Sequence, residues 1–307
     1  MSFAAAAQDY PTKPIRIVVP VAAGGLTDIL AREIGARLST RLNQAVVIEN
    51  KAGAGGIIGM EFAAKLPADG YNLLMAYPGP VVVNPWIYRN LPYDPAKDFV
   101  PVHLLASYAV VLAVNSTFPA KTVREFIDHV KANPGKINYG SAGNATLANL
   151  TMELFKRSAG IDLVHVPYKG AAPAMNDLVA GHTAAVFDSV ALVRPQVEAG
   201  RIRALGISSR QRSSAMPDVP PIAESGVPDF EALGWYGIMA PKGVPAPIIA
   251  RLSRELSAIL KEPDVRAKLQ SQALEVIDGD PVRFATFLAE ERDRWQRVVK
   301  DAGIKAD

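Results

Sequence analysis

Apolar and polar positions along the chain switch between two periods. Ile15-Arg16-Ile17-Val18-Val19 is a short apolar run closed by Pro20, which predicts a strand over about 15–19. Similar bursts predict strands near 45–49 and 72–76. Between them the period lengthens: Ile29, Leu30, Ile34 and Leu38 recur at near-helical spacing, predicting a helix over about 27–41 with a second near 56–66. The order β-α-β-α-β implies a parallel sheet covered on both faces.

A second alternation follows. Val110–Asn115 reads as a strand, and Thr122-Val123-Arg124-Glu125 as a capping box opening a helix to about 132. Strands are expected near 137–140, 163–166, 184–188 and 203–207, with helices near 146–159, 172–180 and 190–199. The Pro-, Ser- and Gly-rich stretch 208–231 predicts a long loop with short turns. A final strand near 234–240 precedes a helix that begins around Pro245 and Pro247 and carries the stripe Ile248, Ile249, Leu252, Leu256, Leu260. Asp280-Pro281 marks another helix start.

The C-terminal helices have no predicted sheet of their own, so they are expected to return to the first sheet. That gives an α/β chain of two lobes, each a mainly parallel sheet flanked by helices: 10–104 plus 232–307 form lobe 1, and 105–231 lobe 2. The crossings are expected near 103–109 and 228–236, with a ligand cleft between the lobes. Ligands of α/β sheets bind outside the carboxyl ends of the strands. A length of 307 residues agrees with two domains rather than one.

Composition narrows the chemistry. Hydrophobic residues at 49% and charged residues at 21% describe a globular protein. The net charge of +3 is spread over interleaved acids and bases, as in Glu290-Glu291-Arg292-Asp293-Arg294, which reads as a solvated helix face and not a nucleic-acid patch. No apolar run approaches the roughly 18 residues that cross a bilayer. Cysteine is absent, so disulfides, thiolate metal sites and cysteine nucleophiles are excluded. The start Met1–Asp9 is rich in alanine and reads either as the trimmed end of a secretory signal, with Met1 replacing the rest, or as a ragged terminus.

No catalytic kit is visible. His103, His129, His165 and His182 are far apart in sequence, without zinc-helix spacing, and read as satisfied or surface histidines. There is neither a G-x-S-x-G elbow nor an S-x-x-K pair. No metal and no cofactor are expected.

Three glycine-rich turns remain, each between a strand and a helix. Val21-Ala22-Ala23-Gly24-Gly25-Leu26-Thr27-Asp28 follows the first strand, Gly53-Ala54-Gly55-Gly56-Ile57-Ile58-Gly59 the second, and Gly140-Ser141-Ala142-Gly143-Asn144-Ala145-Thr146 lies in the second lobe. The second turn lacks G-x-G-x-x-G spacing. Met75-Ala76-Tyr77 then stands where a dinucleotide site needs an acid for the ribose, which argues against a nucleotide. Small residues at a helix start let free N–H groups approach an anion closely. The expected ligand is a small carboxylate held without an arginine clamp.

At this point the residues carry a resemblance. "IRIVVP", "AAGGLTD", "ENKAGAGGIIG", "ADGYNLLMA", "LPYDPAKDFVPV", "YGSAGNATLANLTMELF", "HVPYKGAAPAMNDLVAG", "VFDSV", "DVPPIAESGVPDFEALGWYG" and "APKGVP" run in order from about residue 10 to the end. Together they resemble the periplasmic solute-binding proteins of tripartite tricarboxylate transporters, the Bug family. The resemblance implies a two-lobe Venus-flytrap binding protein, exported to the periplasm, that feeds a membrane permease. It also implies that backbone amides and ordered waters hold the ligand carboxylate. Carried over, the site residues are Ala23, Gly24, Gly25, Thr27, Asp28, Ala54 and Gly55, then Ser141, Gly143, Asn144, Ala145 and Thr146, with Asp188 nearby. Asp28 reads equally as a cap of its own helix, and Lys169 either attracts an anion at the cleft mouth or is a surface lysine.

Departures from the family bear on the ligand. Val21 and Leu26 replace a frequent Phe and Pro, Tyr77-Pro78-Gly79-Pro80 replaces small hydroxyl residues, and Trp86 and Asn149 stand where His is common. Tyr77 either walls the pocket against an apolar or aromatic ligand body or is a rim tyrosine. These departures argue against the usual short amino-acid or citrate-like ligands without naming a replacement; the expected partner is a small organic carboxylate, with aromatic and dicarboxylic acids as the candidates. A monomer is the default for this class. Rival readings are a ligand sensor for a membrane signalling partner, and a two-lobe α/β enzyme acting on a carboxylate.

Overall fold

The computed structural model describes residues 10–305. The alanine-rich start, read as a trimmed signal or a ragged terminus, lies outside the described residues. Two compact units emerge. The first holds the chain up to Ala106, Trp235–Lys268 and Val276–Gln296, and the second Ser107–Gly234, Leu269–Glu275 and the chain from Arg297 on. The passages between units thus include 106–107 and 234–235, and Leu269–Glu275 and the end of the last helix group with the second unit.

The chain runs β1 (Ile15–Val19), α1 (Leu26–Leu42), β2 (Val46–Asn50), α2 (Ile57–Ala64), β3 (Asn72–Ala76), α3 (Asn84–Ile87), α4 (Pro95–Asp98) and β4 (Phe99–Asn115). It continues through α5 (Val123–Ala132), β5 (Asn138–Ser141), α6 (Leu147–Ala159), β6 (Val164–Pro167), α7 (Ala171–Ala180), β7 (Ala185–Ser189), α8 (Val190–Glu198) and β8 (Ile202–Ile207). It closes with β9 (Leu233–Pro241), α9 (Ala246–Leu260), α10 (Pro263–Ser271), β10 (Glu275–Gly279) and α11 (Pro281–Ala302).

In the first unit β2, β1 and β3 are parallel, in that spatial order, and β9 adds antiparallel to β3. Ile15, Ile17, Val18, Leu74 and Met75 have no exposed surface, as expected of strands covered on both faces. Each such fully buried side chain contributes about 1.5–3 kcal/mol. On α1, Leu30, Ile34 and Leu38 are buried, whereas Ile29 stands 38% exposed. In the second unit β6, β5 and β7 are parallel, and β4 pairs antiparallel with both β7 and β8. Its core interleaves Val111, Met175, Leu178, Val186 and Val193. The stretch 208–231 is pinned by buried Met216, Val219, Ile222, Val227 and Phe230.

Three features depart from the pattern-based expectation. β4 begins at Phe99 rather than near Val110, and β10 is an additional strand after β9. The expected solvated face at Glu290–Arg294 holds a buried acid. Glu291 is 1% exposed and accepts the indole N–H groups of Trp235 at 3.2 Å and Trp295 at 2.9 Å, with Arg294 Nη1 at 2.8 Å. A buried carboxylate is tolerated there because each neighbour donates to it.

Candidate functional site

The parallel strands set where chemistry gathers. In the first unit the carboxyl ends of β1, β2 and β3 lie along one sheet edge, so the turns after them emerge together. Asn50, at the end of β2, ties two parts of the first turn. Its Nδ2 donates to the Val21 carbonyl at 3.1 Å and to Asp28 Oδ1 at 2.9 Å.

Asp28 is the hub of this turn. Only 2% exposed, it accepts the Gly24 N–H at 2.9 Å and Arg32 Nε at 3.0 Å on Oδ2. Arg32, whose guanidinium lies beside it, then Gly24 and Asn50 hold its carboxyl down at about 2 against the opposing effect of burial. Arg32, itself half-exposed, also donates from Nη2 to Asn50 Oδ1 at 3.0 Å, so two of its donors go to the groups that hold the turn. Gly25 caps α1 without a side-chain hydrogen bond, and the first helical bond runs from Ile29 N–H to the Gly25 carbonyl at 2.9 Å. The N–H groups of Leu26, Thr27 and Asp28 therefore have no intrahelical carbonyl to pair with. Ala23, Gly24 and Gly25 are exposed beside them.

The second turn is compressed. Gly53, Ala54, Gly55 and Gly56 have φ of 134°, 46°, 62° and 92°, four successive residues in territory that favours glycine. Ala54 bears this conformation at a cost of roughly 1–2 kcal/mol, the kind of stored strain found at ligand clamps. Asn84 Nδ2 donates to the Gly55 carbonyl at 3.2 Å. Tyr77 reaches the same turn, since a Cβ on Gly56 would stand 2.7 Å from the Tyr77 hydroxyl. Burial, then Tyr93 and Tyr236, push that phenol up out of its ordinary range. Gly59 lets α2 pack on the strand ends, for a Cβ there would meet Pro20 and the Lys51 carbonyl at 2.5–2.7 Å.

In the second unit the carboxyl ends of β5, β6 and β7 share an edge in the same way. Ser141 is buried, and its Oγ lies 2.7 Å from His165 Nε2 and accepts the Gly143 N–H at 3.2 Å. Thr146 Oγ1 donates to the Gly143 carbonyl at 2.8 Å, while Asn149 Oδ1 accepts the Ala145 N–H at 3.1 Å. Asn149 Nδ2 donates to Tyr139 Oη at 2.9 Å, and the Tyr139 ring stacks on His165 with centroids 4.8 Å apart. Burial lowers the His165 pKa, which favours the neutral ring. The hydroxyls of Ser141 and Thr146 thus brace the turn from inside, and Ala145, at φ 56°, carries strain as Ala54 does. Asn144 is exposed at the tip of this turn.

Lys169 is exposed in the β6–α7 turn, which hydrogen bonds from Tyr168 N–H to the Ser141 carbonyl and from Gly170 N–H to the Ala142 carbonyl hold against the Ser141 turn. Asp188 is the penultimate residue of β7, and its Oδ1 accepts the Ser189 N–H at 2.7 Å.

The site residues read from sequence therefore form two groups, Ala23, Gly24, Gly25, Thr27, Asp28, Ala54, Gly55 and Tyr77 on the first unit's edge, the rest on the second's. Sequence reasoning missed Asn50 and His165 as the groups that fix these turns. An amide at a strand end and a histidine in "HVPYKG" were the available signals. His103 is a satisfied core histidine, with Ser253 Oγ 2.9 Å from Nδ1 and Asp278 Oδ1 3.0 Å from Nε2. Among the described residues no cluster of acids and histidines fits a metal, and no helix is long and apolar enough to cross a membrane.

Comparison with known proteins sets this geometry in context. The sequence profile of the tripartite tricarboxylate transporter family receptors matches residues 30–304. The R. palustris protein Rpa4515, solved with adipate, is similar at 37% identity and a TM-score of 0.82, over 97% of this chain and 99% of that one. MatC from Rhodopseudomonas palustris, solved with bound malate, is 34% identical with a TM-score of 0.77, over 94% and 100%. The periplasmic binding protein BugD is 33% identical with a TM-score of 0.77, over 97% and 100%.

Proposed function

This chain belongs to the tripartite tricarboxylate transporter family of receptors, periplasmic solute-binding proteins of α/β fold, and from that premise we propose that it captures a small aliphatic dicarboxylate and delivers it to a membrane permease. The observation that carries the ligand assignment is the turn Val21–Asp28. Its one acid and its one nearby arginine are consumed in mutual hydrogen bonds. The neutral backbone N–H groups of Leu26, Thr27 and Asp28 remain without an intrahelical acceptor at the helix start, a donor set suited to a carboxylate. Adipate and malate, bound by the relatives Rpa4515 and MatC, define the chain length to test first.

Each unit's edge carries its own group of candidate binding residues in this reading. Ala23, Gly24, Gly25, Thr27, Ala54 and Gly55 supply backbone donors or close approach, and Asp28 positions them. Tyr77 offers its hydroxyl. Ser141, Gly143, Asn144, Ala145 and Thr146 form the second unit's turn, flanked by Lys169 and Asp188. In this reading the protein does no chemistry on the ligand: the Ser141 and Thr146 hydroxyls both donate to the Gly143 carbonyl and brace the turn.

Thermal unfolding against a panel of aliphatic diacids, hydroxy acids, amino acids and aromatic acids tests the assignment. A ligand at 100 times its dissociation constant adds about 2.7 kcal/mol, a rise of several degrees in a chain this long. Aliphatic dicarboxylates are expected to give that rise and to be recovered unaltered by mass spectrometry. A rise confined to aromatic acids overturns the ligand class, and an altered product overturns the receptor reading.

A further inference from the structure

Asp188 is a carboxyl group that, among the described residues, makes no ion pair on the edge assigned to an anionic ligand, where Lys169 stands exposed in the β6–α7 turn. It is the penultimate residue of β7, between β4 and β5. The pairing of Gly140 with Val186 puts it level with Ala142, beside the Ser141–Thr146 turn. It is partly exposed on that edge, and its polar partners are the N–H and hydroxyl of Ser189.

The charged groups on the elements packed around β7 are engaged elsewhere. On α6, Lys156 pairs with Glu153 at 3.1 Å, and Arg157 pairs with Asp301. On α7, Asp177 takes the Tyr168 hydroxyl and His182. On α8, Arg194 lies 3.7 Å from Glu198. The stretches of β4 and β5 paired with β7 bring no charge. The Ser189 donors and the start of α8 favour the anion, but burial outweighs them and pushes the carboxyl above its ordinary value. A ligand carboxylate brought to the same edge raises it further, because two adjacent carboxylates do not both stay ionised.

Resting on the proposed dicarboxylate reading, we infer that Asp188 binds the ligand as a neutral acid, donating its O–H to a ligand carboxylate, so that capture takes up one proton. This makes Asp188 a specificity residue for acids over amino acids: an ionised Asp188 would instead call for a ligand ammonium.

The test is calorimetric titration of the full chain with adipate, in buffers of different ionisation enthalpy, from about pH 6.5 to about pH 8.5, where an ordinary carboxylic acid such as adipate is already ionised. Wild type is expected to take up close to one proton at the lower end, with affinity falling by up to about tenfold per pH unit. Asp188→Asn, whose amide donates at every pH, is expected to show no uptake and a flat profile. A flat wild-type profile, or uptake that persists in the variant, overturns the inference. So does aspartate binding tighter than succinate to wild type, with that preference lost in Asp188→Asn. A wild-type chain that binds no dicarboxylate in the thermal panel fails the ligand assignment itself, and this inference with it.

Discussion

Asp28→Ala is expected to weaken adipate binding by tenfold or more and to destabilise the protein by about 2–3 kcal/mol. The stability figure follows from the loss of charge-assisted hydrogen bonds, each worth roughly 1.5–3 kcal/mol, partly recovered by solvating the freed partners. At this chain length that lowers the unfolding midpoint by about 3–5 °C. The affinity loss has a separate origin. Without the Asp28 bridge from Gly24 to Asn50, the turn must be ordered when the ligand arrives, and about 1.4 kcal/mol of such ordering costs tenfold. The pH dependence identifies the cause. Asp28 titrates near 2 in the folded chain and near 3.8 when unfolded, so its stabilisation is complete above the unfolded value and is lost as pH falls through the folded one. The difference in urea midpoint between wild type and Asp28→Ala is therefore expected to be full at neutral pH and to shrink from about pH 4 towards pH 2. A pH-independent difference would mean that the side chain acts by packing alone.

Gly59→Ala is expected to cost about 3 kcal/mol, near the upper end for overpacking, although the same change in most helix interiors gains about 1 kcal/mol. The sign reverses because the new methyl meets Pro20 Cβ at 2.5 Å and backbone atoms of Pro20 and Lys51 at 2.7 Å. Those backbones lead into the Val21–Asp28 and Gly53–Gly56 turns, so affinity for adipate is expected to fall as well. Gly35→Ala on α1 is the control. Its methyl would meet only side-chain atoms of Ile48 and Val46, at 3.0 and 3.3 Å, and urea unfolding of both variants gives the contrast.

The elements with one strong local signal were legible in the sequence. β1 and β3 are apolar runs with clear stops, and Thr122 caps α5 by accepting the Glu125 N–H. The reciprocal arm differs, for Glu125 Oε2 takes the Lys121 N–H rather than that of Thr122. The first part of β4 was hidden because Pro101, His103 and Ser107 interrupt its apolar pattern. His103 is buried only because Ser253 and Asp278 satisfy both ring nitrogens, which no local pattern reveals. The same holds for Glu291, whose partner Trp235 lies far away in sequence. β10, with Glu275 and Asp278 in five residues, reads as polar.

The candidate site divides likewise. Its glycines were visible because a turn before a helix start demands them. The roles inside it were not: that Asp28 faces its own turn depends on Asn50, and that Ser141 faces inward depends on His165.

The most direct measurement is amide 15N–1H mapping of the full chain titrated with adipate. The largest shifts are expected at the N–H groups of the 23–28 turn, led by Gly25, Leu26 and Thr27, saturating with the calorimetric dissociation constant, and the adipate is expected to stay chemically unchanged. Saturable adipate binding that leaves these amides unmoved would contradict the claim that this turn holds the carboxylate.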